Sequence, residues 1–136
     1  MTQTDMDKAL YEAASAIREK SYSPYSRFAV GAAILADDGQ VYAGCNIENA
    51  AYPQGNCAEA SAIAAMIAGG AKRIRRIYVV GNGAEPVTPC GGCRQRIREF
   101  ADLDVTVISH GVEGQPLACT LEQLLPHSFG PEYLPK

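Results

Sequence analysis

"NCAEAS", residues 56–61, opens an apolar helical run directly after a polar loop, and "TPCGGCRQ", residues 88–95, repeats that arrangement one strand later. Working outward from the first stretch, "FAVGAAILA" (28–36) reads as a buried strand and "DDGQ" (37–40) as a turn around Asp38-Gly39. "VYAGCNI" (41–47) returns as its hairpin partner, and "ENAAYPQGN" (48–56) is a loop. The helix that starts near Cys57 runs to the Gly69-Gly70 stop, with Ile63, Met66 and Ile67 on its inner face. Around the second stretch, "RIYVVG" (76–81) is a strand and "NGAEPVTP" (82–89) a loop whose final proline suits a helix start. A helix over about 90–101 and a strand "DVTVIS" (104–109) follow.

The ends complete the pattern. Thr4, with Asp7 three residues on, is positioned to cap a first helix, where Met6, Leu10, Ala13, Ala14 and Ile17 recur at helical spacing. "SYSPYS" (21–26) breaks it. A short helix around 121–125 and an irregular tail close the chain. The order α-β-β-α-β-α-β-α places parallel crossovers in its second half. The fold class expected is α/β, a mixed sheet of about five strands sandwiched between helices. There is no internal repeat or linker, so residues 1–136 are expected to form one domain.

Composition narrows the function. With 47% hydrophobic and 20% charged residues the chain can bury a real core. A net charge of −3 argues against a grip on the nucleic-acid backbone, which needs a basic face. "KRIRR" (72–76), the only basic cluster, reads as a solvated helix–strand connection. Five cysteines, an odd number, and no secretory pattern at the N-terminus point away from disulfides and towards metal binding in the cytoplasm. The longest apolar run, "AIAAMIAGGA" (62–71), is too short to cross a bilayer.

Cys57, Cys90 and Cys93 therefore become candidate ligands. Two loops follow two strands, and each feeds a helix start; if both strands are parallel, both loops open at the carboxyl edge where α/β sheets bind ligands. Cys90 and Cys93, three apart, share one helix face. Three thiolates suit zinc. A structural site would add a fourth side chain, for which Cys45, Cys119, His110 and His127 are available. An open site leaves that place to water, which zinc can bring to a pKa of about 7. Glu59, two residues from Cys57, is placed to move its proton. Cys-x-Glu followed by Pro-Cys-x-x-Cys resembles the signature of zinc nucleobase deaminases, in which His or Cys comes first.

The chain resembles the small cytidine deaminases that assemble as homotetramers. The likeness is carried by "SPYSRFAVGAA" (23–33), "GCNIENAAYP" (44–53), "CAEASAI" (57–63), "PCGGCRQ" (89–95) and "LLPHSFGP" (124–131). The resemblance implies a five-stranded mixed sheet between helices, a three-layer α-β-α sandwich. It also implies hydrolytic deamination of cytidine and deoxycytidine, within pyrimidine salvage. One zinc ion per subunit would sit on Cys57, Cys90 and Cys93 with hydroxide as fourth ligand, and Glu59 would shuttle protons. Asn46 and Glu48 would hold the ribose hydroxyls, the Ala58 backbone would orient the pyrimidine, and Phe28 and Phe129 would flank the nucleoside. Residues matching Ala50, Tyr52 and Phe129 come from neighbouring subunits in that family. Pattern alone allows plainer roles: Phe28 as core, Asn46 and Glu48 as strand alternation, Phe129 as a tail anchor. Cys45 and Cys119 read as small buried apolar residues.

One position departs from the family. Many relatives carry Arg after the catalytic Glu, where this chain has Ala60. Three thiolates and one zinc ion leave a net charge of −1, which weakens the metal as a Lewis acid. Arg94, beside Cys93, together with the helix-end amides, is expected to offset it. The competing readings are a deaminase of another aminopyrimidine such as blasticidin S, a non-catalytic zinc module, and, less well supported, a polynucleotide editor.

Overall fold

The computed structural model describes residues 2–135. Its elements are α1 (Gln3–Arg18), β1 (Gly31–Ala36), β2 (Val41–Cys45), α2 (Ala58–Ala68), β3 (Ile74–Val80), α3 (Gly91–Phe100), β4 (Ala101–His110), β5 (Leu117–Thr120) and the single turn α4 (Leu121–Leu124). The sheet has five strands in the order β2-β1-β3-β4-β5. β1 is antiparallel to both β2 and β3, β3 and β4 are parallel, and β5 is antiparallel to β4. β2, β3 and β4 therefore share one direction, and the segments leaving β2 and β3 emerge at the same edge of the sheet.

Side-chain alternation on the strands divides the core into two layers. Ala32, Ile34, Ile77, Val79 and Val107 pack with Ala62, Ile63 and Met66 of α2, Ile97 of α3 and Leu121 of α4. Ala33, Tyr78, Val80 and Ile108 pack under Leu10 and Ala14 of α1. The result is the expected α-β-α sandwich, with α1 alone on one face. Arg76 pins α1 to β3 through a fork onto Asp7, Nε–Oδ1 2.6 Å and Nη2–Oδ2 3.0 Å. On the other face, Gly44 lets β2 approach α2: a Cβ there would lie 2.3 Å from the Ala62 backbone nitrogen.

Several boundaries differ from the sequence reading. Thr2, not Thr4, caps α1, in a capping box with Asp5. β1 begins at Gly31, not at residue 28, because Asn46 and the chain before it occupy the hydrogen-bonding groups of Phe28 and Val30. β4 starts at Ala101 with no intervening loop after α3. Pro89 lies one residue outside α3, whose N-cap is Cys90. β5 was not anticipated. Ile67 is exposed, and the buried face of α2 is instead made by Ala62, Ile63 and Met66. "KRIRR" is not simply solvated: Ile74 is buried, and Arg73 pairs with Asp102 at 2.6 Å as Arg76 does with Asp7.

Candidate active site

Cys57 and Cys90 occupy equivalent places, each the N-cap of a helix that starts at the shared sheet edge. Their carbonyls accept the first helical bonds, from Ser61 and Arg94 amides at 3.0 Å each. Neither thiol is used as a cap, so both remain available to a ligand. Cys93, one turn into α3, is fully buried behind them. The three Sγ atoms all lie within 4.8 Å of one another. Tetrahedral zinc with Zn–S near 2.3 Å spaces its sulfurs at about 3.8 Å, so the donor set fits zinc with small adjustments. Cys45, Cys119, His110 and His127 stay outside this cluster. His110 is already bonded to the Tyr78 hydroxyl and the Gly114 carbonyl, both at 3.0 Å.

A hydrogen bond from Cys93 is the largest influence lowering the Cys57 thiol to about 6, against its burial; Cys90 and the Arg96 guanidinium push the same way. Cys93, holding that proton and buried, is pushed up. Glu59 lies in the first turn of α2 with only 5% of its surface exposed. Burial pushes its carboxyl above the usual range; its own backbone amide opposes this, and the neighbouring Cys57 reinforces it. A carboxyl with raised proton affinity next to a three-thiol cluster is suited to take a proton and hand it on.

A cavity of about 180 Å³ opens beside these groups, and Asn46, Cys57, Ala58, Glu59 and Cys90 line it as the sequence suggested. Val30, Val87 and Thr88 also line it and were not foreseen; the loop reading of 82–89 hid the last two. Asn46 is tied into the scaffold. Its Oδ1 accepts from the Val30 amide at 2.9 Å and the Ser21 hydroxyl at 2.5 Å, and its Nδ2 donates to the Phe28 carbonyl at 2.8 Å. Glu48 lines a different and larger hollow of about 380 Å³ with Tyr25, Ser26, Asn49 and Tyr52. Its carboxylate accepts from the Tyr25 and Ser26 amides at 2.9 and 3.1 Å and from the Ser26 hydroxyl. Phe28 is half-exposed and does not line the thiol cavity. Ala50, Tyr52 and Phe129 are exposed and stand outside it.

The charge compensation expected of Arg94 is not seen. Its guanidinium is spent on oxygen: the Pro89 and Leu124 carbonyls at 2.7 Å each and the Thr88 hydroxyl at 3.2 Å. No first-turn amide bonds the Cys57 or Cys90 sulfur as a cap. The guanidinium that does meet a thiol is that of Arg96, whose Nη1 is 3.5 Å from Cys93 Sγ. Sequence adjacency was the wrong guide; the i, i+3 spacing on α3 was the usable signal.

Three thiols that leave one corner of a tetrahedron open, with a buried carboxylate at the same helix start, define the class as a zinc-dependent hydrolase that activates water. Comparison with known proteins carries this further. The cytidine and deoxycytidylate deaminase zinc-binding region matches residues 4–109, and the chain belongs to that family. It is 43% identical over 130 residues to the cytidine deaminase of Sporosarcina psychrophila, covering 96% of this chain and 95% of that one. It is 40% identical over 116 residues to the cytidine deaminase of Mycobacterium tuberculosis, covering 85% and 84%. The crystal structure of cytidine deaminase from Burkholderia pseudomallei superposes with a TM-score of 0.86 at 42% identity, covering 95% of this chain and all of that one.

Proposed function

We propose that this chain hydrolyses cytidine and deoxycytidine to uridine and deoxyuridine with release of ammonia, in pyrimidine salvage, acting as a single domain over residues 1–136. The observation that carries this reading is Glu59, buried in the cavity that the thiols of Cys57 and Cys90 also line. Cys57, Cys90 and Cys93 would hold zinc, which would supply the Lewis acidity that makes water a nucleophile at neutral pH. Glu59 accepts a proton from the attacking water and delivers it to the ring nitrogen next to the reacting carbon; it then takes the remaining hydroxyl proton of the adduct and passes it to the amine, which leaves as ammonia. Its burial favours this role, because desolvation raises its affinity for the proton it must carry. The Ala58 backbone, in the first turn of α2, orients the pyrimidine ring.

Asn46 and Glu48 hold the ribose hydroxyls with the hydrogen-bonding capacity their scaffold bonds leave over. Asn46 retains one N–H of its amide, and Glu48 one acceptor site after three bonds. Phe28 flanks the nucleoside. Ala50, Tyr52 and Phe129 complete the site of a neighbouring subunit in a homotetramer. Their exposure supports this, as does the apolar surface that Tyr22, Tyr25, Ile47 and Tyr133 also leave open. No helix among the described residues is long and apolar enough to cross a membrane; we place the enzyme in the cytoplasm.

The test is the ultraviolet absorbance of cytidine incubated with zinc-loaded protein, beside Glu59→Gln at equal zinc content. Conversion by the wild type, with kcat/KM lower by about 10²–10⁴-fold in the variant, is expected. No conversion by the wild type overturns the reading, and the same assay with blasticidin S then asks whether another aminopyrimidine is the substrate.

A further inference from the structure

The metal site carries an unbalanced charge. Metal-bound cysteines are thiolates, so three of them with one zinc ion leave a net charge of −1, and Ala60 contributes nothing to offset it. Two arginines on α3 are near enough to be considered. Arg94 directs three of its N–H groups to oxygen acceptors on the Thr88–Pro89 segment and α4, and none to a thiol. Arg96 folds back along α3 to bring Nη1 to 3.5 Å from Cys93 Sγ, and no carboxylate among the described residues claims its guanidinium as a salt-bridge partner. Its guanidinium passes close to Gly92, where a Cβ would stand 3.3 Å from the same Nη1.

Resting on the deaminase reading of this site, we propose that Arg96 is the cation that compensates the three-thiolate zinc centre, a positioning residue acting through Cys93. Its guanidinium N–H gains an anionic acceptor when the metal binds, because the thiol it faces becomes a thiolate; such charge-assisted bonds are stronger than neutral ones. By drawing electron density from one sulfur it leaves the metal a better Lewis acid. Outer-shell partners of metal ligands typically change affinity or activity by 10–100-fold. Arg96 is exposed, so the lower end applies, and the effect is screened by salt.

The experiment measures zinc affinity by competition with a chromophoric chelator for full-length wild type, Arg96→Gln and Arg96→Lys at low and high salt. The thiolate-to-metal absorption of the cobalt-substituted proteins and the thermal midpoints of the metal-free proteins are recorded alongside. The expected result is about tenfold weaker zinc binding by Arg96→Gln, an intermediate value for Arg96→Lys, and a gap from wild type that narrows as salt rises. The cobalt band of Arg96→Gln should shift while the metal-free midpoint stays put. Two results overturn the proposal: affinity and cobalt band of Arg96→Gln indistinguishable from wild type, or equal losses in both variants that track a lowered metal-free midpoint. Failure of the wild type to bind one zinc per chain would instead overturn the metal reading itself.

Discussion

Substituting Arg98 by alanine tests whether the C-terminal tail is part of the catalytic apparatus. Arg98 sits on α3 one turn beyond the zinc ligands, and its side chain is only 8% exposed. Nε donates to the Ser128 hydroxyl at 2.8 Å, and Nη2 pairs with the Glu132 carboxylate. The guanidinium lies flat on Gly130, where a Cβ would be 2.4 Å from Cζ. Gln95 of the same helix donates to the Phe129 carbonyl at 3.0 Å. Helix α3 therefore holds the tail on both sides of Phe129. The Ser128 bond is worth about 1.5 kcal/mol, the lower end for a charged donor. Glu132 is 54% exposed, so its pair adds only about 0.5 kcal/mol after solvent screening. Together they make about 2 kcal/mol, a shift of roughly 30-fold in the docking of the tail. If Phe129 completes a neighbour's site, KM for cytidine should rise about tenfold in Arg98→Ala. The change in kcat should be smaller, because packing against the nucleoside is felt in ground state and transition state alike. Zinc content should not change. Steady-state kinetics read the first two, and hydrogen exchange of residues 126–135 reads the undocking. A tail that exchanges freely in a variant of unchanged KM would refute the reasoning.

Two further outcomes follow from the packing and charge of α2. Gly44→Ala puts a methyl group against backbone that has no room for it, so it should destabilise by about 1–3 kcal/mol. That corresponds to a midpoint roughly 5–10 °C lower in a thermal melt, with zinc affinity falling as well because the displaced helix start carries Cys57 and Glu59. An unchanged midpoint would show that β2 and α2 are less tightly apposed. Metal-free Glu59→Gln should melt above metal-free wild type at pH 7. The folded state raises the Glu59 pKa, so its contribution is fully present below the unfolded value of about 4.3 and is lost as pH rises towards the folded one. Glutamine has no such loss, and the two melting curves should converge near pH 4; a constant gap at every pH would mean that packing, not charge, separates them.

How much of this was legible in the sequence depends on whether local pattern or tertiary contact decided each feature. The β1–β2 hairpin could be read because Asp38-Gly39 separates two apolar runs, and the zinc ligands because three thiols and a carboxylate fall at two helix starts. β5 could not: Leu117–Thr120 is a four-residue edge strand with no residue fully buried, so it carries little apolar alternation and owes its existence to pairing with β4. Ile67 was misplaced because nearly every residue of α2 is apolar, which leaves periodicity little to discriminate. Asn46 lines the thiol cavity and Glu48 does not, although both are polar neighbours of Ile47 on a loop edge; the difference lies in which backbone amides each side chain meets.

The arginines on α3 make the sharpest case. Arg94 is adjacent to a zinc ligand in sequence, yet one residue along a helix turns the side chain by about 100°, away from the thiols and onto the Thr88–Pro89 segment. Arg96, three residues from Cys93, returns to the ligand face. The charge balance of the centre is therefore set by helical phase, and it can be met from α3 as well as from α2. A chain that lacks Arg at position 60 need not have a weaker metal, provided position 96 is cationic.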